Sequence, residues 1–287
     1  MTAPQQQWDI TSGVGITALA VAAARARESL RPDRLINDPY ASAFVEAAGL
    51  DLPFLRLEAP REKSDPALMT DYVGVRSRIF DDFLVTAAED GLRQVVVLAS
   101  GLDNRAFRLP WPAGTRCFEL DQPLVLDFKL RVLGAEGARP LCAHTPVPVD
   151  LRDDWAAALE AAGFDGALPT AWLAEGLLPY LPPAAEEQLF REIDRLSAPG
   201  SRAAVEHIDQ AAAVAREPQL LADGEAYGID LKALLPEGER RAPQEQLTAL
   251  GWRWSAASAH ESARGLGRTL PSTGATDRAV HLLARKD

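Results

Sequence analysis

Hydrophobic and polar positions change rhythm near residue 92. Before it the chain reads as helices: Thr17 to Ser29, then Pro39 to Ala48, opened by Asp38 as N-cap with Pro39 at the first helical position. A longer helix is expected over Pro66 to Asp90, stopped by Gly91, because Met69, Tyr72, Val73, Ile79, Phe80, Phe83, Leu84 and Ala87 recur at helical spacing. Asp51 to Asp65, charged and without a period, reads as an exposed connection. From Arg93 onward strand, loop and helix repeat. Gln94 to Ala99 is an apolar run of strand length, and Thr115 to Leu120, Pro140 to Val149, Thr170 to Ala174 and Arg202 to Ile208 follow as strands. Between them lie helices at Asp153 to Ala162 and Pro183 to Leu196; Gln244 to Leu250 is another, and the last strands are Trp252 to Ser258 and Arg278 to Arg285. This alternation predicts an α/β fold, a doubly wound sheet covered by helices over residues 93–287, with residues 1–92 as a helical cap or lid and a lid insertion near 209–243.

Composition narrows the function classes. The 287 residues are 47% hydrophobic and 25% charged, a globular balance that excludes fibrous and wholly disordered chains. A formal charge of −11 argues against a nucleic-acid or anionic-membrane surface. Cys117 and Cys142 provide neither a disulfide framework nor metal-ligand spacing, which fits a reducing cytoplasm and no metal. The opening residues lack a basic leader, and the early apolar run ends at Arg25, too short for a bilayer.

In a doubly wound sheet ligands sit at the carboxyl ends of the strands. Those positions here are Ser100 to Asp103, Asp121, Asp150 and Leu151, Glu175, and Glu206 to Asp209. An acidic residue twenty positions beyond a glycine turn, as Asp121 is from Gly101, is placed to accept ribose hydroxyls; capping of the following helix is the alternative. The segment VVVLASGLDNRAFRL lacks GxGxxG, which disfavours NAD and FAD, whose pyrophosphate needs bare backbone at a helix N-terminus. A cationic ligand such as S-adenosylmethionine suits the acidic surroundings better. Arg76 shares the apolar stripe of Tyr72, Ile79, Phe80 and Phe83, so its guanidinium needs an anionic partner. Arg78 has Asp82 four residues on, and the pair Asp81 and Asp82 reads as a charged solvent face. No GxSxG or P-loop occurs.

Six segments carry a family resemblance: LINDPYASAFV (35–45), VRSRIFDDFL (75–84), VVLASGLDNRAFRLPWP (96–112), FELDQP (118–123), VDLRDDW (149–155) and TAWLAEGLLPYLPP (170–183). In this order they resemble the bacterial branch of the leucine carboxyl methyltransferase-like family of S-adenosyl-L-methionine-dependent methyltransferases. The resemblance implies the class I methyltransferase Rossmann-like fold and that cofactor. It implies that Asp121 takes the ribose, that Asp150 and Leu151 sit beside the adenine, and that Gly101 belongs to the cofactor turn. Where other members have a glycine, this chain has Ala99, whose methyl limits backbone approach. Glu175 matches a cofactor-contacting glutamate, suited to an ammonium; an acid near a helix start is the alternative. Arg76 matches an arginine set against the methionine carboxylate, with an internal carboxylate such as Glu175 as the other candidate partner. Arg27 matches a further basic position near the cofactor.

The implied reaction is methyl transfer to an oxygen of a small molecule, a carboxylate or a hydroxyl, with secondary metabolism as a compatible setting. A carboxylate is already ionised; a hydroxyl needs a base, for which Tyr180, Glu206 or His207 are candidates. His144, His260 and His281 show no partner in the sequence. A cofactor-binding regulatory or partner-binding module without turnover is the alternative from another class.

Overall fold

The computed structural model describes residues 10–11, 13–57, 65–217, 221 and 230–287. Three helices lead: α1 (Val14–Ser29), α2 (Ala41–Ala48) and α3 (Asp65–Glu89). Then come β1 (Gln94–Leu98), α4 (Arg105–Arg108), β2 (Arg116–Asp121), α5 (Pro123–Ala135), β3 (Ala143–Pro148), α6 (Trp155–Ala161) and β4 (Thr170–Ala174). The rest is α7 (Pro183–Arg195), β5 (Arg202–Ile208), α8 (Ala211–Val214), α9 (Leu231–Leu234), α10 (Pro243–Ala249), β6 (Trp252–Ser258), α11 (Ala259–Gly265) and β7 (Ala279–Lys286).

Among the described residues the strands form one seven-stranded sheet in the order β3-β2-β1-β4-β5-β7-β6. The first five are parallel, and β7 runs antiparallel between β5 and β6. The order reverses between β1 and β4, so their carboxyl ends open the crevice where ligands bind such sheets. Every residue of β1 and β4 is buried, as both faces of a central parallel strand require. The edge strand β3 carries Pro146 and Pro148, which lack the donor an interior strand would need.

Alternation along β1 builds two cores. Val95 and Val97 face α1, α2 and α3, joining Leu19, Phe44, Phe80 and Leu84. Val96 and Leu98 face the opposite layer with Trp155, Leu189, Phe190 and Leu247. The leading helices thus bury their apolar stripes directly on the sheet, which sets α3 across the carboxyl ends of β4 and β5. Asp38 does not cap α2: the cap position is Tyr40, and Asp38, 4% exposed, instead receives Arg25 Nε at 2.8 Å and Asn104 Nδ2 at 2.6 Å. Asp38 also accepts from Tyr40 N at 3.1 Å, the amide of the cap residue itself, so it stands ahead of the position from which it could cap the helical amides. Of the connection expected over Asp51 to Asp65, residues 58–64 lie outside the described residues, and Leu55 is buried in the first core. α11 follows β6 without a loop, because Ser258 accepts from Glu261 N while the Glu261 side chain accepts from Ser258 N.

Candidate functional site

The turn after β1 is held in an unusual backbone. Ala99 and Gly101 adopt φ of 49° and 48°, left-handed values that cost an alanine free energy and a glycine almost none. Asp121, the last residue of β2, fastens this turn: its Oδ2 accepts from Gly101 N at 2.6 Å and its Oδ1 from Gln122 N at 2.7 Å. Asp121 therefore does not cap α5, whose cap residue is Gln122, a residue that makes no side-chain capping bond. Each oxygen keeps a lone pair for another donor. Burial raises the Asp121 pKa, against the pull of those two backbone amides. Ser100 is 5% exposed, and its Oγ has no partner among the described residues.

After β3, Asp150 takes Gln122 Nε2 at 3.1 Å and Arg152 Nη2 at 2.6 Å. Burial alone would raise Asp150; the Arg152 guanidinium and backbone amide outweigh it and lower its pKa. The neighbouring Leu151 is half-buried against the second core.

The densest charge cluster joins α3 to the ends of β4 and β5. Arg76 gives Nε to Glu175 Oε1 at 2.7 Å and Nη1 to both oxygens of Glu206 at 3.1 Å. Its Nη2 has no hydrogen-bond partner among the described residues. Glu206 also accepts from the Tyr72 hydroxyl and, at 2.6 Å, from Gly176 N. The second oxygen of Glu175 receives Arg105 Nη1 at 2.7 Å, and Arg105 reaches on to Asp103 and to Asp81 at 2.6 Å. Burial pushes these groups toward neutrality, but the pairing wins: Arg76 and Arg105 rise, Glu175 falls, and Asp103 falls to about 2. The internal partner proposed for Arg76 is thus present, and Glu206 is a second one.

Other candidates divide. Arg78 pairs with Asp82 at 2.8 Å on the surface as expected. Asp81 is no solvent-face residue: it is 6% exposed and receives Arg105 at 2.6 Å and Arg108 at 2.6 and 2.8 Å, because the helix turns it inward onto α4. Arg27 spends Nε on Thr70 at 2.8 Å and Nη1 on the carbonyls of Phe54 and Arg56, tying α1 to α3 and to the loop after α2. Burial lowers it to about 10. Tyr180 donates to Thr17 Oγ1 at 3.3 Å, joining the loop after β4 to α1, and burial raises its pKa. His207, near the end of β5, makes no hydrogen bond among the described residues, and burial lowers its pKa. The remaining histidines do have partners: His144 meets Glu119 and His260 meets Asp277, each at 2.8 Å, and His281 meets Ser262 at 2.9 Å. Arg105, missed from the sequence, lies inside the quoted segment 96–112, and no local period marks it as buried.

The profile of the family described as leucine carboxyl methyltransferase matches residues 18–194, well over half the chain. The chain belongs to this family. Among its relatives, a protein of Saccharopolyspora erythraea named as an S-adenosyl-L-methionine-dependent methyltransferase is 53% identical over 96% of this chain and 94% of its own length. One so named from Mycobacteroides abscessus is 50% identical over 91% of each. Crystal structures of a Streptomyces avermitilis DUF574 family protein (TM-score 0.55, 15% identity, 92% of this chain and 97% of that one) and of a Thermobifida fusca protein described as a methyltransferase (0.52, 18%, 92% and 94%) share the fold. This leucine carboxyl methyltransferase family member is therefore an S-adenosyl-L-methionine-dependent methyltransferase with a Rossmann-like α/β sheet. Membership decides for an enzyme over the module without turnover. No helix among the described residues is long and apolar enough to cross a membrane.

Proposed function

We propose that the chain is an O-methyltransferase for a small-molecule acceptor and that its donor site is the acidic carboxyl edge of the sheet. The observation that carries this is the succession of acids at the carboxyl ends of β2 to β5, Asp121, Asp150, Glu175 and Glu206, the last two of which grip Arg76 and leave its Nη2 open. S-adenosyl-L-methionine supplies a sulfonium-activated methyl group when bound. Asp121 takes the ribose hydroxyls on its remaining lone pairs, Asp150 and Leu151 flank the adenine, and Gly101 lets the turn approach closely. Arg76 offers Nη2 to the methionine carboxylate, and Glu175 holds the ammonium. The unpartnered Ser100 Oγ and Arg76 Nη2 fit such a ligand, since each is a donor in want of an acceptor.

Charge favours a hydroxyl acceptor over a carboxylate. Arg76, Arg105 and Arg152 are already paired at this edge, and Arg240 is bound to Glu186 at 2.6 Å. A hydroxyl needs a base. His207, its pKa lowered by burial, is neutral near pH 7 and suits that role, whereas Tyr180, its pKa raised, keeps its proton and serves as a donor. Positioning of the two reactants accounts for the larger share of the rate, of the order of 7 to 11 kcal/mol at best.

Two readouts test the proposal. S-adenosylhomocysteine raises the melting temperature and NAD does not; a shift with NAD alone would overturn the donor site. With methyl-labelled donor and paired phenol and benzoate probes, the label ends in an alkali-stable ether. Alkali-labile ester would return the acceptor to the carboxylate class, and label on nitrogen or carbon would contradict O-methylation.

A further inference from the structure

Glu206 is the most deeply buried acid of the edge and is bonded on all sides. It is 2% exposed and accepts on both oxygens, from the Tyr72 hydroxyl, from Arg76 Nη1 twice and from Gly176 N. Those donors come from α3 and from the turn after β4, and Glu206 itself stands on β5 beside His281 of β7. A carboxylate has about four acceptor positions, so this one is filled without room for a ligand.

Its partners have directional consequences. Gly176 has φ of 64°, and its amide fixes the turn that carries Glu175. A Cβ at Gly176 would stand 3.8 Å from Glu206 Oε2, so the glycine is demanded by the backbone conformation and not by crowding. Arg76 is gripped along one side by Glu175 and at Nη1 by Glu206, which leaves Nη2 as the projecting end of a planar group whose orientation is set. Removing either grip lets the guanidinium rotate toward the other acid.

We propose that Glu206 is the positioning residue of the donor site: it touches no ligand, and through Arg76 Nη1 and Gly176 N it aims both Arg76 and Glu175. The inference rests on the donor-site reading above. In Glu206→Gln the amide presents a donor where Arg76 or Gly176 already donates, so one grip fails.

The test is a double-variant cycle read by calorimetric titration of S-adenosylhomocysteine into wild type, Glu206→Gln, Arg76→Met and the double variant, with apo melting followed in parallel. Glu206→Gln weakens binding by about ten- to a hundredfold, as loss of a bond to a charged group does. In the Arg76→Met background the same change costs clearly less than in wild type, because the path through Arg76 is already broken and only the one through Gly176 N remains. A merely structural role would give additive losses that follow apo melting, and that outcome overturns the inference, as does unchanged affinity in Glu206→Gln. Should the amide variant unfold, Glu206→Asp keeps the charge, withdraws the carboxylate by one methylene and supports the same cycle. If wild type fails to bind S-adenosylhomocysteine, the donor-site reading falls first; binding without coupling removes Glu206 alone.

Discussion

Asp103 ties α4 to the donor edge, and its titration has a definite sign. Burial would raise it, but Arg105 and further cations hold its folded pKa at about 2, below the ordinary carboxylate value. A depressed pKa contributes stability that is complete above about pH 4 and lost as the pH falls through about 2, worth about 2 kcal/mol. Denaturant unfolding between pH 5 and 2 should therefore show wild type losing more stability on acidification than Asp103→Asn; parallel pH slopes would contradict the assignment. Arg76→Met leaves Glu175 and Glu206 without their shared cation, so the apo protein should lose about 3 to 5 kcal/mol in urea unfolding, and an unchanged midpoint would show the cluster to be slack. At this scale the sequence displays Arg76 well, because a cation on an apolar stripe breaks the helical pattern. Asp81 is hidden: beside Asp82, and with Arg105 twenty-four positions away, nothing local shows which of the two turns inward.

Elements were legible where period and punctuation agree. The helix expected over Pro66 to Asp90 is Asp65–Glu89, and β4 and β5 fall on their expected residues. α11 went unread although its S-x-x-E signature stands at Ser258 to Glu261, since a helix starting without a loop is masked by the strand before it. The short α4 has too few residues for a period to show. The turn after β1 concentrates strain in Ala99, whose φ of 49° suits glycine. Ala99→Gly should raise stability by about 0.5 to 1 kcal/mol, the relief of a left-handed alanine less the greater freedom of unfolded glycine. A lowered urea midpoint would mean that the alanine methyl packs usefully.

The whole molecule joins two unlike parts through one set of acids. The leading helices bury themselves on the sheet and bring Arg76 and Tyr72 to the ends of β4 and β5, while β1 and β2 close the glycine turn on Asp121. The doubly wound parallel sheet follows from the alternation of strands and helices; the antiparallel β7 between β5 and β6 does not, because only long-range pairing places it. The candidate site was legible as positions after strands, with Glu175 as one candidate partner of Arg76; the rest of its internal pairing was not, since ion pairs across 70 to 130 residues leave no periodic trace. The central claim is that these acids form the donor site, and Asp121 is the residue on which it turns. The direct measurement is calorimetric titration of S-adenosylhomocysteine into wild type and Asp121→Ala, with folding checked by circular dichroism. The account predicts binding by wild type and a loss of about 1.5 to 3 kcal/mol in the folded variant, as for bonds to a charged acceptor; equal affinity in the two proteins would contradict it.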